Sequence, residues 1–331
     1  MSHRVSVVGA GSWGTTVAAL TAERHETRLW ARRADVAGEI TQRHTNAGYL
    51  GQHVLPEGLE ASDDLAAVVT GAHVVAMAVP SSGFREVARR VALVIEPGVP
   101  VVSLSKGLER ATLRRMSEVA KECCPDHPVA VLSGPNLARE ILAGQPAASV
   151  VACDDLAVAR TLVEIFGRPT FRLYTNPDVV GCEIAGVVKN VIAIGAGIAQ
   201  GFGFGDNAKA TVITRGLAEM TRLGVALGAR AETFAGLAGL GDLVATCASM
   251  QSRNTQVGVR LGKGEHISDI ESSMNMVAEG VHSSPLVVAL ARQHGVEMPI
   301  AERVAAVCDG SASAMDALLE LMRRSSKGEF E

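Results

Sequence analysis

Near its N-terminus the chain reads Val5-Ser6-Val7-Val8-Gly9-Ala10-Gly11-Ser12-Trp13-Gly14-Thr15-Thr16-Val17-Ala18-Ala19-Leu20. An apolar, β-branched run ends at Gly9, and a small-residue amphipathic run begins just after Trp13. Between them stands Gly9-x-Gly11-x-x-Gly14, the spacing at which a parallel strand turns tightly into a helix. Gly9 permits the turn, Gly11 leaves room for a pyrophosphate beside the backbone, and Gly14 lets the helix pack on the strand. The amides and positive end of such a helix attract phosphate. Three glycines alone would say little. With a strand before and a helix after, they predict a dinucleotide site in an open, doubly wound sheet.

Strand and helix keep alternating through the first half. Thr27-Arg28-Leu29-Trp30-Ala31 reads as the second strand. The end of this strand, roughly 20 residues past the glycines, meets the adenosine ribose, where Asp or Glu binds a 2′-hydroxyl. Arg32 and Arg33 stand there, with Asp35 close behind. A guanidinium pair suits a 2′-phosphate and points to NADP, while Asp35 leaves NAD open. The plain alternative is two exposed arginines heading a solvated helix over 35–43. Ser62-Asp63-Asp64 offers an N-cap to a short helix. Residues 74–79 form a continuous apolar strand, the kind covered on both faces. Pro80 stops it, and Ser81-Ser82 start a helix running to about residue 95. Further strands are predicted at 101–104, 129–132, 148–152 and 171–174, with a helix over 155–166. Ligands of an open α/β sheet sit beyond the carboxyl ends of its strands. The loops at 9–14, 79–82, 105–107 and 134–136 are therefore expected around one crevice, with Lys106 as a cation at its edge.

From about residue 177 no strand pattern remains. This sets a mainly parallel, Rossmann-like α/β domain at 1–178 and an all-helical domain at 179–331. Asp178 can cap a long helix through Gly186-Val187-Val188-Lys189-Asn190-Val191-Ile192-Ala193-Ile194. That run is nearly all apolar, so its helix is buried, and a buried ammonium must be paired or perturbed. Lys189 could reach the surface by its stem or pair with Glu183; its surroundings favour a catalytic amine instead. Glycines at 195, 197, 201, 203 and 205 then predict that the helix ends or loosens where something approaches its backbone, each costing ~1 kcal/mol of helix propensity. A helix over 207–223 follows, with Thr211, Arg215 and Glu219 on its polar side. A glycine-rich turn over 235–243 carries Asp242, either a cap or a functional carboxylate. Ser252-Arg253-Asn254 precede a helix reaching about residue 261. Hydroxyl, guanidinium fork and amide at a helix N-terminus form an anion cradle, with ordinary capping as the simpler alternative. Val277-Ala278-Glu279-Gly280-Val281 leads into a helix rich in alanine and valine.

Composition excludes several classes. At 47% hydrophobic and 20% charged, 331 residues build two packed cores rather than a disordered chain. A net charge of −4 with no long basic run argues against nucleic acid as a partner. No secretory signal pattern is read, and apolar windows are expected to be broken by charge or glycine before the ~18 residues of a membrane span. Six cysteines include no Cys-x-x-Cys pair. Neither a metal site nor a disulfide framework is expected, and free thiols suit a reducing cytoplasm.

Seven segments occur in one order: Gly9-Ala10-Gly11-Ser12-Trp13-Gly14-Thr15, Ser105-Lys106-Gly107-Leu108-Glu109, Leu132-Ser133-Gly134-Pro135, Val188-Lys189-Asn190, Gly239-Leu240-Gly241-Asp242-Leu243, Ser252-Arg253-Asn254 and Val277-Ala278-Glu279-Gly280-Val281. Together they resemble the bacterial-type NAD(P)-dependent sn-glycerol-3-phosphate dehydrogenases over essentially the whole chain. The resemblance implies reversible interconversion of dihydroxyacetone phosphate and sn-glycerol 3-phosphate, the backbone of glycerophospholipids. It implies an active site between a dinucleotide domain and a helical domain. Gly9, Gly11, Ser12, Trp13, Gly14, Arg32, Arg33, Lys106, Ala138, Arg253, Val277 and Glu279 would then contact the cofactor. Lys106, Gly134, Asn136, Lys189, Asp242, Ser252, Arg253 and Asn254 would hold the substrate, with Lys189 as proton donor or acceptor. The chain departs at Asn136, where the family has a small hydroxyl residue, and at Thr16, where alanine is usual. Asn can still donate a hydrogen bond, and Thr16 is expected to matter little.

The chemistry suits these residues. Hydride transfer belongs to the nicotinamide, and the protein orients the substrate and moves one proton. Reducing a ketone builds negative charge on its oxygen, which an ammonium stabilises and then protonates. Asp242 would fix the amine, and Arg253 with Asn254 would bind a phosphate dianion. A 3-hydroxyacid or ketopantoate reductase shares the fold but takes a carboxylate substrate. A redox sensor that binds cofactor without turnover would leave Lys189, Asp242 and Arg253 without a task. No residue pattern sets the oligomeric state; a homodimer is the expectation to test.

Overall fold

The computed structural model describes residues 2–274, 278–323 and 328. The chain divides into two compact units, Met1–Val179 and Val180–Glu331.

In the first unit, strands β1 (Arg4–Val8), β2 (Glu26–Trp30), β3 (Leu59–Ser62), β4 (Val74–Met77), β5 (Val101–Ser103), β6 (Val129–Ser133), β7 (Ala147–Ala152) and β8 (Phe171–Asn176) make one sheet. Its order is β3-β2-β1-β4-β5-β6-β7-β8. Every pair is parallel except β6 with β7. The connecting helices are α1 (Ser12–Ala22), α2 (Ala34–Arg43), α3 (Ala47–Leu50), α4 (Leu65–Val69), α5 (Phe84–Ala92), α6 (Met116–Cys123), α7 (Ala138–Leu142) and α8 (Leu156–Phe166). Side chains alternate across a strand, and β4 shows why its sequence has no polar face. Val74 and Ala76 enter one core with Val5, Leu29 and Leu162. Val75 and Met77 enter the other with Trp30, Phe84 and Met116. The chain order reverses between β1 and β4, the switch point where such sheets bind ligands.

Strand β3 has no counterpart in the sequence reading. It is a four-residue edge strand with only Leu59 fully buried, too short for a period to register. Asp64 caps α4 as expected, its carboxylate accepting from the Ala66 and Ala67 amides. The helix predicted over 81–95 is instead a 3₁₀ turn at Ser81–Gly83 followed by α5, because the chain leaves helical geometry at Gly83 (ψ 1°).

The second unit contains only helices among its described residues: α9 (Val179–Gly201), α10 (Asp206–Ala226), α11 (Ala231–Phe234), a π-helical turn (Leu237–Gly241), α12 (Asp242–Ala248), α13 (Arg253–Gly262), α14 (Ile267–Ser273), α15 (Glu279–Gln293), α16 (Pro299–Cys308) and α17 (Ala314–Met322). Helix α9 corrects two expectations. It ends at Gly201, inside the predicted glycine stretch, but runs unbroken through Gly195 and Gly197 before it does. Something does approach its backbone, namely α13. A Cβ on Gly197 would run into the Thr255 carbonyl, and one on Gly201 into the Val259 carbonyl. Reciprocally, a Cβ on Gly258 would strike the Ile194 carbonyl, and one on Gly262 would lie 2.5 Å from the Ile198 oxygen. The glycines let two helices touch backbone to backbone, which offsets their low propensity. Helix α9 is also long and apolar enough to cross a membrane, contrary to the expected broken windows, and 89% of its most apolar window is buried within the chain.

Glu219 is a third correction. It lies not on a solvated face of α10 but at 2% exposure, accepting from the Ile300 and Ala301 amides at 2.8 and 3.2 Å. It thereby caps α16 from another helix. Burial outweighs those hydrogen bonds and pushes its carboxyl up to about 7.

Candidate active site

In the first unit the glycine loop has the features a dinucleotide needs. Gly9 sits at φ 119°, a conformation that L side chains avoid, and its amide still pairs with the Trp30 carbonyl at 3.0 Å. Gly14 packs so tightly on the Gly9 carbonyl that no side chain fits. A Cβ on Gly11 would meet nothing within 4 Å, so the space before this residue is open. No side chain caps the N-terminus of α1. An open approach to an uncapped helix start fits a pyrophosphate. The Ser12 hydroxyl reaches the Tyr49 carbonyl at 3.3 Å. The Trp13 ring stands edge-on to Phe171, and its buried Nε1 has no protein partner.

The loops that follow β4, β5 and β6 are tied to one another. Ser105 Oγ donates to the Val79 carbonyl at 2.5 Å, and Lys106 Nζ donates to the Gly134 carbonyl at 2.9 Å. Gly134 sits at φ 145°, and Ser149 occupies the position a side chain there would take. Glu109, three residues past Lys106, makes a two-pronged pair with Arg85 at 2.6 and 2.8 Å, and that guanidinium brings its carboxyl down to about 2. Asn136 accepts a short hydrogen bond from Ser149, while its Nδ2 is buried without a partner. Ala138 opens α7, and its carbonyl lies 3.4 Å from the Thr16 hydroxyl, so Thr16 joins two helices rather than merely filling space. Arg32 and Arg33 are both exposed at the end of β2, Arg33 lying 3.4 Å from the Asp35 carboxylate.

In the second unit helices α9 and α12 meet at Lys189. Its ammonium donates to Asp242 Oδ1 at 2.6 Å and to Thr246 Oγ1 at 2.8 Å, and the residue is 7% exposed. Thr246 gives its own proton to the Asp242 carbonyl at 2.6 Å, which leaves a lone pair for the lysine. Asp242 and Thr246 stand four apart on α12, so one helix face presents both. The neighbouring Asn190 accepts from Asn254 Nδ2 at 2.9 Å, and Asn254 Oδ1 accepts from the Gly280 amide at 2.9 Å. This amide chain links α9, α13 and the start of α15, and Gly280 is pressed against the Asn190 carbonyl. Ser252 caps α13 through the Thr255 amide at 3.3 Å, while Arg253 occupies its first turn, half-buried. Cys247, beside Thr246, has its thiol pushed up to about 12 by burial and stays protonated.

The structure therefore gathers Lys189, Asp242 and Asn254 in one unit, and Lys106 with Gly134 in the other. Glu279 begins α15, and Val277 lies outside the described residues. The sequence reading missed Thr246 and the role of Asn190. The i, i+4 relation of Asp242 and Thr246 was the signal available for the first; Asn190 gives none until α13 is placed against it.

The comparisons agree over both units. Residues 4–159 match the family described as NAD-dependent glycerol-3-phosphate dehydrogenase N-terminus, and residues 178–319 match its C-terminus. A protein of Sphingopyxis alaskensis named glycerol-3-phosphate dehydrogenase [NAD(P)+] 2 is 53% identical over 325 residues, 98% of each chain. The crystal structure of a glycerol-3-phosphate dehydrogenase from Coxiella burnetii is 37% identical and superposes with a TM-score of 0.94, covering 98% of this chain and 99% of that one. A ketopantoate reductase from Ralstonia eutropha, 17% identical with a TM-score of 0.61 over 95% of this chain and 99% of its own, shares the fold alone. The chain belongs to the NAD-dependent glycerol-3-phosphate dehydrogenase family.

Proposed function

We propose that this protein is an NAD(P)-dependent dehydrogenase interconverting dihydroxyacetone phosphate and sn-glycerol 3-phosphate, with Lys189 moving the proton. One observation carries the assignment of the amine. Of the three ammonium protons of Lys189, Asp242 and Thr246 take two, and the third has no protein partner among the described residues. An amine held by two partners, with one proton unassigned, is built to give that proton to a third oxygen. The bound coenzyme supplies or accepts the hydride. In the reducing direction the Lys189 ammonium stabilises the oxyanion and protonates it; in the oxidising direction the neutral amine takes the alcohol proton. Asp242 and Thr246 keep the amine in place in both directions. Arg253, at the start of α13 beside Ser252 and Asn254, is assigned to the substrate phosphate, where a guanidinium and a helix N-terminus act together.

For the coenzyme, the Gly9–Gly14 loop is assigned to the pyrophosphate, with Ser12, Trp13, Lys106, Ala138 and Glu279 as further contacts. Arg32 and Arg33 are assigned to a 2′-phosphate, which suits NADP, while Asp35 beside Arg33 leaves NAD open. The six cysteines are all free thiols, which supports a cytoplasmic, reducing setting. The product is the backbone of glycerophospholipids, so lipid synthesis is the assigned use. The test is oxidation of NADPH and NADH with dihydroxyacetone phosphate and, separately, ketopantoate. Turnover of the phosphate alone is expected; turnover of ketopantoate alone would overturn the proposal.

A further inference from the structure

Asn46 stands at the N-cap of α3, the position where Asn most often accepts from its own helix's amides. It does not do so here: its side chain makes no cap hydrogen bond. Its amide reaches across 36 residues instead, donating one Nδ2 proton to the Ala10 carbonyl at 3.0 Å and the other to Thr15 Oγ1 at 2.9 Å. The residue is 1% exposed and its bond to Thr15 is buried, so water competes little for its amide. Its own turn is anchored in turn: Glu39 Oε1 on α2 accepts from the Ala47 amide at 2.7 Å and from the Thr45 hydroxyl at 2.9 Å.

We infer that Asn46 is a positioning residue for the coenzyme, orienting the Ala10–Gly11 peptide so that the Gly11 amide faces the pyrophosphate. The inference rests on the assignment of the Gly9–Gly14 loop to that group. In a trans peptide the carbonyl and the following N–H point to opposite sides, and the chain contains no cis bond among its described residues. Fixing the Ala10 oxygen on the Asn46 side therefore turns the Gly11 N–H to the opposite side. That N–H donates to no other described residue, and the space before Gly11 is open. An amide held in place but given no acceptor is a preorganised donor for an anion. The bond to Thr15, in the first turn of α1, holds the same side chain against rotation, so loop and helix start move together. Because Glu39 lies on the helix that follows Arg32 and Arg33, the strap 39–47 joins the pyrophosphate loop to the end of the coenzyme those arginines are assigned to read.

The test is direct NADPH binding by fluorescence titration, with thermal unfolding and steady-state kinetics on the same full-length proteins. Asn46→Ala is expected to bind NADPH about tenfold more weakly, the effect of losing one or two hydrogen bonds. Its kcat at saturating NADPH and its KM for dihydroxyacetone phosphate should stay near wild type, which a general loosening of the fold would not allow. Should Asn46→Ala fail to fold, Asn46→Ser offers α3 a capping hydroxyl yet is too short to hold the loop, and the same loss of affinity is expected. A folded Asn46→Ala or Asn46→Ser with wild-type NADPH affinity overturns the inference. Gly11→Asp separates this from failure of the underlying assignment by placing a carboxylate in the open space. Loss of NADPH binding in Gly11→Asp beside unchanged affinity in the Asn46 variants sinks the positioning role alone. Undiminished binding in Gly11→Asp sinks the loop assignment, and the inference with it.

Discussion

Replacing Lys189 by Met should cost both stability and turnover, and a second substitution should restore only one of them. Methionine matches the lysine stem in length and removes the charge. Two unit charges at the 2.6 Å separation of Lys189 and Asp242 attract with about 6 kcal/mol at an effective dielectric constant of roughly 20. Part of that offsets the desolvation of both groups, and breaking a buried pair by removing one partner typically costs about 3–5 kcal/mol. Lys189→Met is therefore expected to lose about 3–5 kcal/mol, since the Asp242 carboxylate, 1% exposed, loses the ammonium it pairs with. Asp242→Asn alone should cost a similar amount by stranding the ammonium. The double variant, with a neutral amide beside a thioether, should recover at least 2 kcal/mol of the summed losses, a rough figure for coupled neighbours. An exposed pair would couple by only about 0.2–1 kcal/mol. Urea unfolding should be followed by far-UV circular dichroism, because both tryptophans, Trp13 and Trp30, lie in the first unit and the pair lies in the second. Turnover behaves differently. Lys189→Met should lower kcat by about a hundredfold or more, the scale of general acid–base catalysis, and the double variant should not regain it. A coupling below about 1 kcal/mol would refute the buried pairing, the level of an exposed pair. Wild-type kcat in either lysine variant would refute the proton-transfer role.

Arg253→Ala should raise the KM for dihydroxyacetone phosphate by roughly tenfold to a hundredfold, the worth of a charge-assisted hydrogen bond, and an unchanged KM would place the phosphate elsewhere. Arg32→Ala should narrow the preference for NADPH over NADH, read as the ratio of the two kcat/KM values; an unaltered ratio removes the 2′-phosphate assignment. Gly258→Ala should destabilise the second unit by about 1–3 kcal/mol as the new methyl forces α13 off α9; a wild-type urea midpoint would contradict the backbone contact. Glu219 makes stability depend on pH. Its carboxyl is raised from 4.5 to about 7 in the folded state, so the folded chain holds a proton the unfolded chain has released. The contribution is fully present below pH 4.5 and is lost as pH rises to about 7, amounting to about 3 kcal/mol. Arg222 and Glu302 face the same carboxyl with opposing effects. The difference between the pH profiles of Glu219→Gln and wild type should show this slope; parallel profiles would refute it.

What could be read from the sequence alone is what short stretches dictate. The strand that cannot be polar on either side, the turn only glycine can make at residue 9, and the cap ahead of α4 depend on neighbours within a few positions. Each was legible for that reason, and so was the change from alternating strands and helices to helices alone. A lone lysine in an apolar helix could be marked as needing a partner, because burying an ammonium is costly whatever surrounds it. Which partner it finds is another matter. Asp242 stands 53 positions away and Thr246 57, and no local pattern ties either to α9. The glycines after Ile194 show the same limit from the other side. Taken alone they weaken a helix; only the arrival of α13 turns the missing side chains into a contact surface that keeps the helix whole. Asn46 and Glu219 look like an ordinary cap and an ordinary surface acid until the fold sets Ala10 and Ile300 against them. Conformation along the chain is set by sterics and hydrogen bonds of short range, whereas the partner of a buried polar group is chosen by whichever distant backbone the packing brings within about 3 Å of it.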